Sequence, residues 1–289
     1  MIRAKNEAAL NDIQLAWENI IVTSNAPLIG PVELRILQAL DRSKRRVWRV
    51  GQDNPHGLSD IQLRQSLHYL TKAGLLERIE RGVYFVPPRS GRILISPLEL
   101  VGAWFADEPH AVVGHAAAEQ HRLTLDVSSV VEVQLTRKKH SVAFQGVLYV
   151  FSQMARPRLV ADNVKVVFDS STTLVASPGK LVVQLLTNTS SRRSSRATRD
   201  TGLVLDVLEA GKRRGLWVRV DWPRLVQRHG TASTVRRLGY LLEQLGIGSA
   251  ESLLPMRGES GNVVLSPVYP MTGPIDKRWR LVINDPAVS

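Results

Sequence analysis

The fold of the N-terminal third is decided by residues 59–88, "SDIQLRQSLHYLTKAGLLERIERGVYFVPP". Ser59 and Gln62 have the spacing of a capping box, in which each side chain bonds the backbone N–H of the other residue. Gly74 is a common type of helix end. The leucines that recur at i, i+4 and i+7, the spacing of one buried helical face, are Leu63, Leu67 and Leu70. The stretch therefore predicts an amphipathic helix between Ser59 and Gly74.

The opposite side of this predicted helix is polar and basic. Arginine and lysine donate to guanine edges or phosphates, glutamine can pair with adenine, and tyrosine can reach a phosphate. An ordinary surface helix with a polar outer face is the alternative that this pattern leaves open. The candidate DNA contacts on this side are Arg64, Gln65, His68, Tyr69 and Lys72.

A basic hairpin is predicted directly after the helix. The runs 75–79 and 83–87 are strand-like, and "ERG" between them is a short turn that contains glycine. Arg78 and Arg81 would project at or near the tip of this hairpin. A helix followed by a basic β-ribbon is the order of a winged helix-turn-helix, in which the helix enters the major groove and the wing touches the backbone or the minor groove.

The residues upstream supply most of what such a domain needs. Residues 31–43, "PVELRILQALDRS", predict another amphipathic helix, and 46–50, "RVWRV", predict a short strand that pairs with the wing. The expected second helix is hard to place within 51–57, "GQDNPHG". Two prolines and a glycine within 86–92 predict a link to a second domain.

Charge and composition narrow the class of partner. The 289 residues include 38 Lys or Arg against 26 Asp or Glu, a net charge of +12, which favours a polyanion such as nucleic acid. Residues 31–92 contain 12 Lys or Arg and 6 Asp or Glu, so +6 of this excess lies there. A chain that is basic only for solubility is the alternative. Cysteine is absent, and neither a secretion signal nor a membrane span is indicated, so we expect a cytoplasmic protein without a membrane partner.

We therefore expect an α+β protein in which a winged helix-turn-helix domain, residues 1–90, is joined to a larger mixed α/β domain, residues 93–289. In the second domain, "SPLELVGAWFA" and "AVVGHAAAEQHRL" look helical, and several β-branched runs of strand length follow them. The tryptophans in apolar surroundings, which we interpret as core residues, are Trp104, Trp217, Trp222 and Trp279.

Two further basic segments are candidate nucleic-acid contacts. The first lies in a turn between two predicted strands, and the second lies in a polar loop rich in serine and arginine. A solvated turn and a flexible loop are the respective alternatives. The candidate contacts are Arg137, Lys138 and Lys139 in the turn and Arg192, Arg193 and Arg196 in the loop.

No enzyme signature is present in the sequence. Phosphate-binding, zinc-protease and nucleophile-elbow motifs are absent, and His115 and His121 are six residues apart, which is the wrong spacing for one metal-binding helical face. We therefore predict a protein that is not an enzyme and that needs no cofactor or metal. An unrecognised activity within residues 93–289 stays open as an alternative.

Taken in order, several segments resemble AbiEi-type antitoxins of bacterial type IV toxin–antitoxin systems. The segments that carry the resemblance are "LLERIERGVYFVPP", "AVVGHAAAEQHRL", "VASPGKLVVQLL", "STVRRLGYLLEQLG" and "KRWRLVINDP". The resemblance implies a winged-helix domain that binds inverted repeats in the promoter of its own operon, and a C-terminal domain that neutralises a cognate nucleotidyltransferase toxin. It places major-groove contacts on Arg64, Gln65, His68 and Lys72 and wing contacts on Arg78 and Arg81.

Reading an inverted repeat requires two copies on half-sites about one helical turn apart, so we expect a monomer in solution or a dimer on DNA. The long stretch 42–57 departs from shorter family members. A protein that binds RNA through its basic C-terminal domain, and so protects or modifies the toxin's target, is the alternative function. Such a protein would show little preference for the operator sequence.

Overall fold

The structure is a computed structural model of the chain, and it describes residues 29–43, 45–50, 57–87, 95–188, 201–248, 250–259, 261–286 and 288. The chain divides into two compact units, Met1–Leu94 (unit 1) and Ile95–Ser289 (unit 2). Both contain helices and strands, and the described residues form three sheets. The protein is therefore of the mixed α+β class.

The described part of unit 1 contains two helices and a small antiparallel sheet of three strands. The elements are α1 (Pro31–Ser43), β1 (Val47–Arg49), α2 (Asp60–Lys72), β2 (Glu77–Glu80) and β3 (Val83–Phe85). The strand order is β1-β3-β2, with Val47 opposite Phe85. The predicted helix, hairpin and short strand are thus present, and the strand pairs with the second strand of the hairpin. Of the segment 51–57, in which the expected second helix is hard to place, residues 51–56 lie outside the described residues.

The core of unit 1 joins both helices to the sheet. The leucine stripe predicted for α2 is buried in it, which confirms that interpretation of the spacing. Burying each such side chain contributes about 1.5–3 kcal/mol, and this fixes which side of α2 faces inward. The buried members are Ile36, Leu37, Leu40, Trp48, Leu63, Leu67, Leu70, Leu76 and Tyr84.

Unit 2 is built on a six-stranded mixed sheet with helices packed against it. The strand order is β6-β7-β5-β4-β9-β8, in which β4–β9 and β5–β7 are parallel and the other pairs antiparallel. The elements up to the last strand of this sheet are α3 (Pro97–Trp104), β4 (His110–Val113), α4 (Gly114–Gln120), β5 (Val130–Leu135), β6 (Val142–Phe144), β7 (Val147–Gln153), α5 (Arg156–Val160), β8 (Asn163–Val167) and β9 (Thr172–Ala176).

The remainder of unit 2 is mainly helical and ends in a small three-stranded sheet of order β10-β12-β11. Its elements are α6 (Pro178–Asn188), α7 (Thr201–Arg213), a 3₁₀ helix (Leu216–Arg219), α8 (Trp222–His229), α9 (Ala232–Gln244), a second 3₁₀ helix (Ala250–Met256), β10 (Val263–Val264), β11 (Ile275–Asp276) and β12 (Leu281–Val282).

The tryptophans of unit 2 are core residues, as predicted. Trp104, Trp217, Trp222 and Trp279 are each at most 3% exposed. Trp279 lies against α9 at Gly239, where an added Cβ would come within 2.2 Å of the indole ring. Only a glycine therefore fits under this ring.

The single helix predicted for "AVVGHAAAEQHRL" is wrong in its first half. Residues His110–Val113 form β4, which pairs with β5 on one side and with β9 on the other. Helix α4 begins only at Gly114, whose φ of +64° makes the turn out of the strand. Pairing with strands distant in sequence outweighed the helical tendency of the alanine-rich segment.

Candidate nucleic-acid interface

Both ends of α2 are fixed by local hydrogen bonds. The N–H of Gln62 donates to Ser59 Oγ at 3.3 Å, and the N–H of Ser59 donates to Gln62 Oε1 at 3.2 Å, which confirms the predicted capping box. At the other end Gly74 has φ +71°, and the N–H of Leu75 donates to Leu70 O at 3.0 Å. This is a Schellman closure, so the helix stops where the hairpin must begin.

The rotation of α2 about its axis is set by its buried side. Leu63, Leu67 and Leu70 are at most 1% exposed. A polar contact adds to them, because Ser66 Oγ donates to Glu33 Oε1 of α1 at 2.6 Å. These contacts hold the opposite side of the helix outward.

The outward side carries the predicted DNA contacts. Arg64, Gln65, His68 and Lys72 are exposed, whereas Tyr69 is half-buried and engaged in a contact of its own. Within the described residues, no ion pair or side-chain hydrogen bond engages the four exposed side chains. Four hydrogen-bonding side chains, two of them cationic, are therefore available to a ligand on one helical face.

The hairpin places further cations next in the chain. Gly82 turns it with φ +77°, and its carbonyl accepts a hydrogen bond of 2.9 Å from the N–H of Val50, next to β1. Arg78 and Arg81 are both exposed. Arg78 Nε is 3.4 Å from Glu80 O, so this guanidinium leans along the strand. The hairpin thus carries one solvent-facing guanidinium in β2 and a second one in its turn.

One residue on the outward face of α2 was not singled out from the sequence. Ile61 is 69% exposed. The signal was present in the spacing, because at 100° per residue Ile61 lies roughly 160° from Leu63 and so falls outside the leucine stripe. An isoleucine at this position therefore lies among the polar side chains of the outward face.

The candidate contacts of unit 2 differ from those of unit 1, because Arg137 and Lys139 already contact other side chains. Arg137 lies in the turn between β5 and β6, as predicted, and its guanidinium bonds both carboxylate oxygens of Glu108 at 2.8 and 2.9 Å. Lys139 Nζ lies 5.0 Å from the ring centroid of Trp104 and 5.2 Å from that of Phe151. Lys138 is exposed. Of the three, Lys138 alone is exposed with no ion pair or side-chain hydrogen bond to another described residue. Arg192, Arg193 and Arg196 lie outside the described residues.

A second charged group in unit 2 surrounds Asp162, which has φ +56°. Arg224 Nη2 donates to its Oδ1 at 2.8 Å, Arg228 Nη1 donates to its Oδ2 at 3.0 Å, and His229 Nε2 lies 2.9 Å from Oδ2. Burial would raise the pKa of Asp162, but the hydrogen bonds from His229 and Arg228 and the nearby arginine charges lower it. Burial lowers the pKa of His229. The carboxylate thus links α8 to the segment before β8 through these three contacts.

Lys180 of α6 is 0% exposed and bonds the residues on either side of Asp162. Its Nζ lies 2.8 Å from Ala161 O, 2.8 Å from Asn163 Oδ1, 3.0 Å from Leu159 O and 3.2 Å from Arg158 O. Burial lowers the pKa of Lys180 to about 8. The ammonium group therefore satisfies four oxygen atoms between the end of α5 and the start of β8, and no ligand can reach it without opening the core.

Two adjacent arginines of α9 are buried as well. Arg236 and Arg237 are 1% and 2% exposed. Arg236 Nε donates to Arg257 O at 2.8 Å, and Arg237 donates to Val264 O at 2.9 Å and to Leu186 O at 3.1 Å. Their guanidinium groups hold backbone carbonyls from distant segments, which is a structural use of the charge.

The described residues contain no group of three or more His, Asp or Glu side chains that could hold a metal ion. None of the helices described is long and apolar enough to cross a membrane.

Comparison with solved structures finds a similar chain in the crystal structure of the RV2827C protein from Mycobacterium tuberculosis. The TM-score is 0.56 and the sequence identity 16%, and the match covers 90% of this chain and 94% of that chain. At this identity the likeness concerns the fold alone. No protein-family model and no curated protein matches the sequence.

Proposed function

We propose that the chain is a winged-helix DNA-binding protein whose unit 1 reads double-stranded DNA. Helix α2 enters the major groove, and the β2–β3 hairpin serves as the wing against the sugar-phosphate backbone or the minor groove. One observation carries the proposal: the outward face of α2 presents exposed Arg64, Gln65, His68 and Lys72, which no ion pair or side-chain hydrogen bond engages among the described residues.

The element order of unit 1 supports the same function. The helix is followed by a hairpin with exposed Arg78 and Arg81, and β1 completes the sheet against it. Arginine and lysine supply the phosphate contacts that give DNA affinity, and glutamine supplies base-edge readout. The net charge of +12 favours encounter with any polyanion, so specificity must come from the side chains of α2.

The resemblance to AbiEi-type antitoxins extends this proposal to a biological role. The chain represses its own operon by binding inverted repeats upstream of its gene, with two copies on half-sites about one helical turn apart. Unit 2 counteracts a nucleotidyltransferase toxin encoded in the same operon. The role needs no catalytic step, cofactor or membrane from this chain.

Binding to the DNA immediately upstream of the gene tests the DNA-binding half. The full chain is titrated against that duplex, a scrambled duplex of the same length and a structured RNA across a series of salt concentrations. We expect binding to the upstream duplex to remain tight near physiological salt, with the scrambled duplex weaker by a factor of about 10³ or more. Equal and steeply salt-dependent binding to all three would reject sequence-specific DNA binding and favour the RNA-binding alternative.

Co-expression tests the antitoxin half. The full chain should restore growth to cells that express the toxin, and a chain with Arg64→Ala and Lys72→Ala should restore growth equally while losing operator binding. That result would assign neutralisation to unit 2. Loss of both properties in the same variant would instead tie neutralisation to the DNA-binding face.

A further inference from the structure

One large apolar side chain lies on the otherwise polar face of α2. Ile61 is the second residue of the helix, and 69% of it is exposed. At 100° per residue, Ile61 lies within about 60° of Arg64, Gln65 and His68 around the helix axis. In the part of unit 1 that is described, it is the only large hydrophobic residue that is exposed.

Ile61 differs from other exposed hydrophobic residues in the side chains that surround it. Single exposed hydrophobic residues are common on protein surfaces, and Val127 and Val218 in unit 2 are examples, at 82% and 87% exposure. Ile61 instead lies inside the group of side chains that would face DNA. A β-branched residue in a helix keeps one χ1 rotamer about 90% of the time, so the γ2 methyl group of Ile61 is held in place and loses little entropy on contact.

The major groove offers such a side chain one apolar partner. Among the base-pair edges there, the C5-methyl group of thymine is the apolar one. The N-terminal residues of a recognition helix contact base edges, and helical side chains lean toward the N-terminus. We propose that Ile61 contacts the C5-methyl group of a thymine in each DNA half-site and so specifies an A·T pair at that position. The inference rests on the proposed function, because it requires α2 to lie in the major groove.

The thymine should lie close to the base pair that Gln65 reads. Four residues of helix span about 6 Å, and successive base pairs are about 3.4 Å apart. Ile61 and Gln65 therefore reach base pairs about two steps apart or closer. An operator half-site should hold a thymine within about two base pairs of the adenine that pairs with Gln65.

Replacing thymine by deoxyuridine tests the contact without changing any hydrogen bond. Deoxyuridine lacks only the C5-methyl group, so each thymine of the upstream duplex is replaced in turn and the affinity of the full chain is measured. We expect about a fourfold loss at one thymine position in each half-site, the value of one buried methyl-sized group. Ile61→Ala should bind the thymine and deoxyuridine duplexes equally at that position.

A matched variant and a conservative one complete the test. Ile275 in β11 of unit 2 is 53% exposed, and Ile275→Ala should keep the thymine preference of the unchanged chain. Ile61→Val keeps a branched methyl pair and should keep most of the preference. Circular dichroism should show the same helix content in Ile61→Ala as in the unchanged chain, because alanine is at least as good a helix former as isoleucine.

The outcomes separate this inference from the proposed function. Sequence-specific binding that is insensitive to every replacement, or a thymine preference that persists in Ile61→Ala, would overturn the contact and leave the proposed function standing. No preference for the upstream duplex over the scrambled one would overturn both.

Discussion

The cations of unit 1 and those of unit 2 are used in different ways. On α2, Arg64 and Lys72 face solvent with no ion pair or side-chain hydrogen bond among the described residues. In unit 2, Lys180, Arg236 and Arg237 are buried and donate to backbone carbonyls. The same residue types are therefore exposed and available to a ligand in one unit, and bonded within the fold in the other. A net charge counted over the whole chain does not distinguish these two uses, whereas burial and hydrogen bonding do.

Removing the charge of Lys180 should lower the free energy of unfolding of unit 2, and this is the largest effect that we expect. Lys180→Met leaves four buried oxygen atoms of residues 158–163 without their donor, and we expect a loss of about 3 kcal/mol in the free energy of unfolding. For a unit of this size that loss corresponds to roughly 6–12 °C in Tm. Denaturant unfolding followed by circular dichroism measures it.

Lys72→Met is the matched control for this variant. Lys72 is exposed at the end of α2, so the same substitution should change the free energy of unfolding by less than about 0.5 kcal/mol. It should weaken DNA binding instead, whereas Lys180→Met should leave the affinity of the folded protein unchanged. Equal stability losses in the two variants would contradict the division between structural and ligand-facing cations.

Replacing Gln65 distinguishes an effect on sequence specificity from an effect on affinity within unit 1. Gln65→Ala should lower discrimination at one base pair by about 1–3 kcal/mol, because a bidentate pair with adenine is lost. Affinity for the scrambled duplex should stay the same. A binding series over all four bases at each operator position measures this. A uniform loss over every sequence would assign Gln65 to the backbone rather than to a base edge.

The phosphate contacts should each have a smaller and less specific effect. Lys72→Ala and Arg81→Ala should reduce the slope of log affinity against log salt by about 0.9 each if both contact phosphates. Lys138→Ala, which removes an exposed lysine from the turn between β5 and β6 in unit 2, is the control and should leave the slope unchanged. A slope that falls only in Lys138→Ala would move the nucleic-acid contact to unit 2.

Local sequence signals were sufficient to predict the helix-hairpin part of unit 1. The capping pair Ser59 and Gln62, the leucine spacing and the two glycines at 74 and 82 each act within a few residues, so each can be read without knowing the fold. They also fixed the exposed side of α2. The spacing of Ile61 from Leu63 likewise places it on the exposed side, where it is 69% exposed.

The uses of charge in unit 2 could not be predicted from local signals. Asp162 meets Arg224, Arg228 and His229 across 62 to 67 positions of sequence. Helical spacing around "STVRRLGYLL" gave no indication that Arg236 would be buried, because the carbonyls it satisfies come from other segments. Such partners become neighbours only through the tertiary fold, so a pattern within one helix carries no information about them.

Acid should affect unit 2 through three histidines, of which His110 and His229 are buried and His121 is half-buried. Burial is the largest influence on His110, His121 and His229, and it lowers the pKa of each below its ordinary value of 6.5. Below pH 6.5 the unfolded chain therefore takes up protons before the folded unit does, so stability present above pH 6.5 is lost as the pH falls toward the lowered values. Denaturant unfolding at pH 7.5, 6.5 and 5.5 measures this loss.

His121→Gln sharpens the acid test. His121 Nε2 lies 2.7 Å from Ala176 O, and a glutamine amide can donate to the same carbonyl without titrating. The variant should therefore lose less stability between pH 7.5 and 5.5 than the unchanged chain. Equal losses would assign the effect to the other two histidines, and no loss in either protein would contradict a role for buried neutral imidazoles. Since salt should change the DNA affinity of unit 1 and acid the stability of unit 2, the two titrations probe the two uses of charge separately.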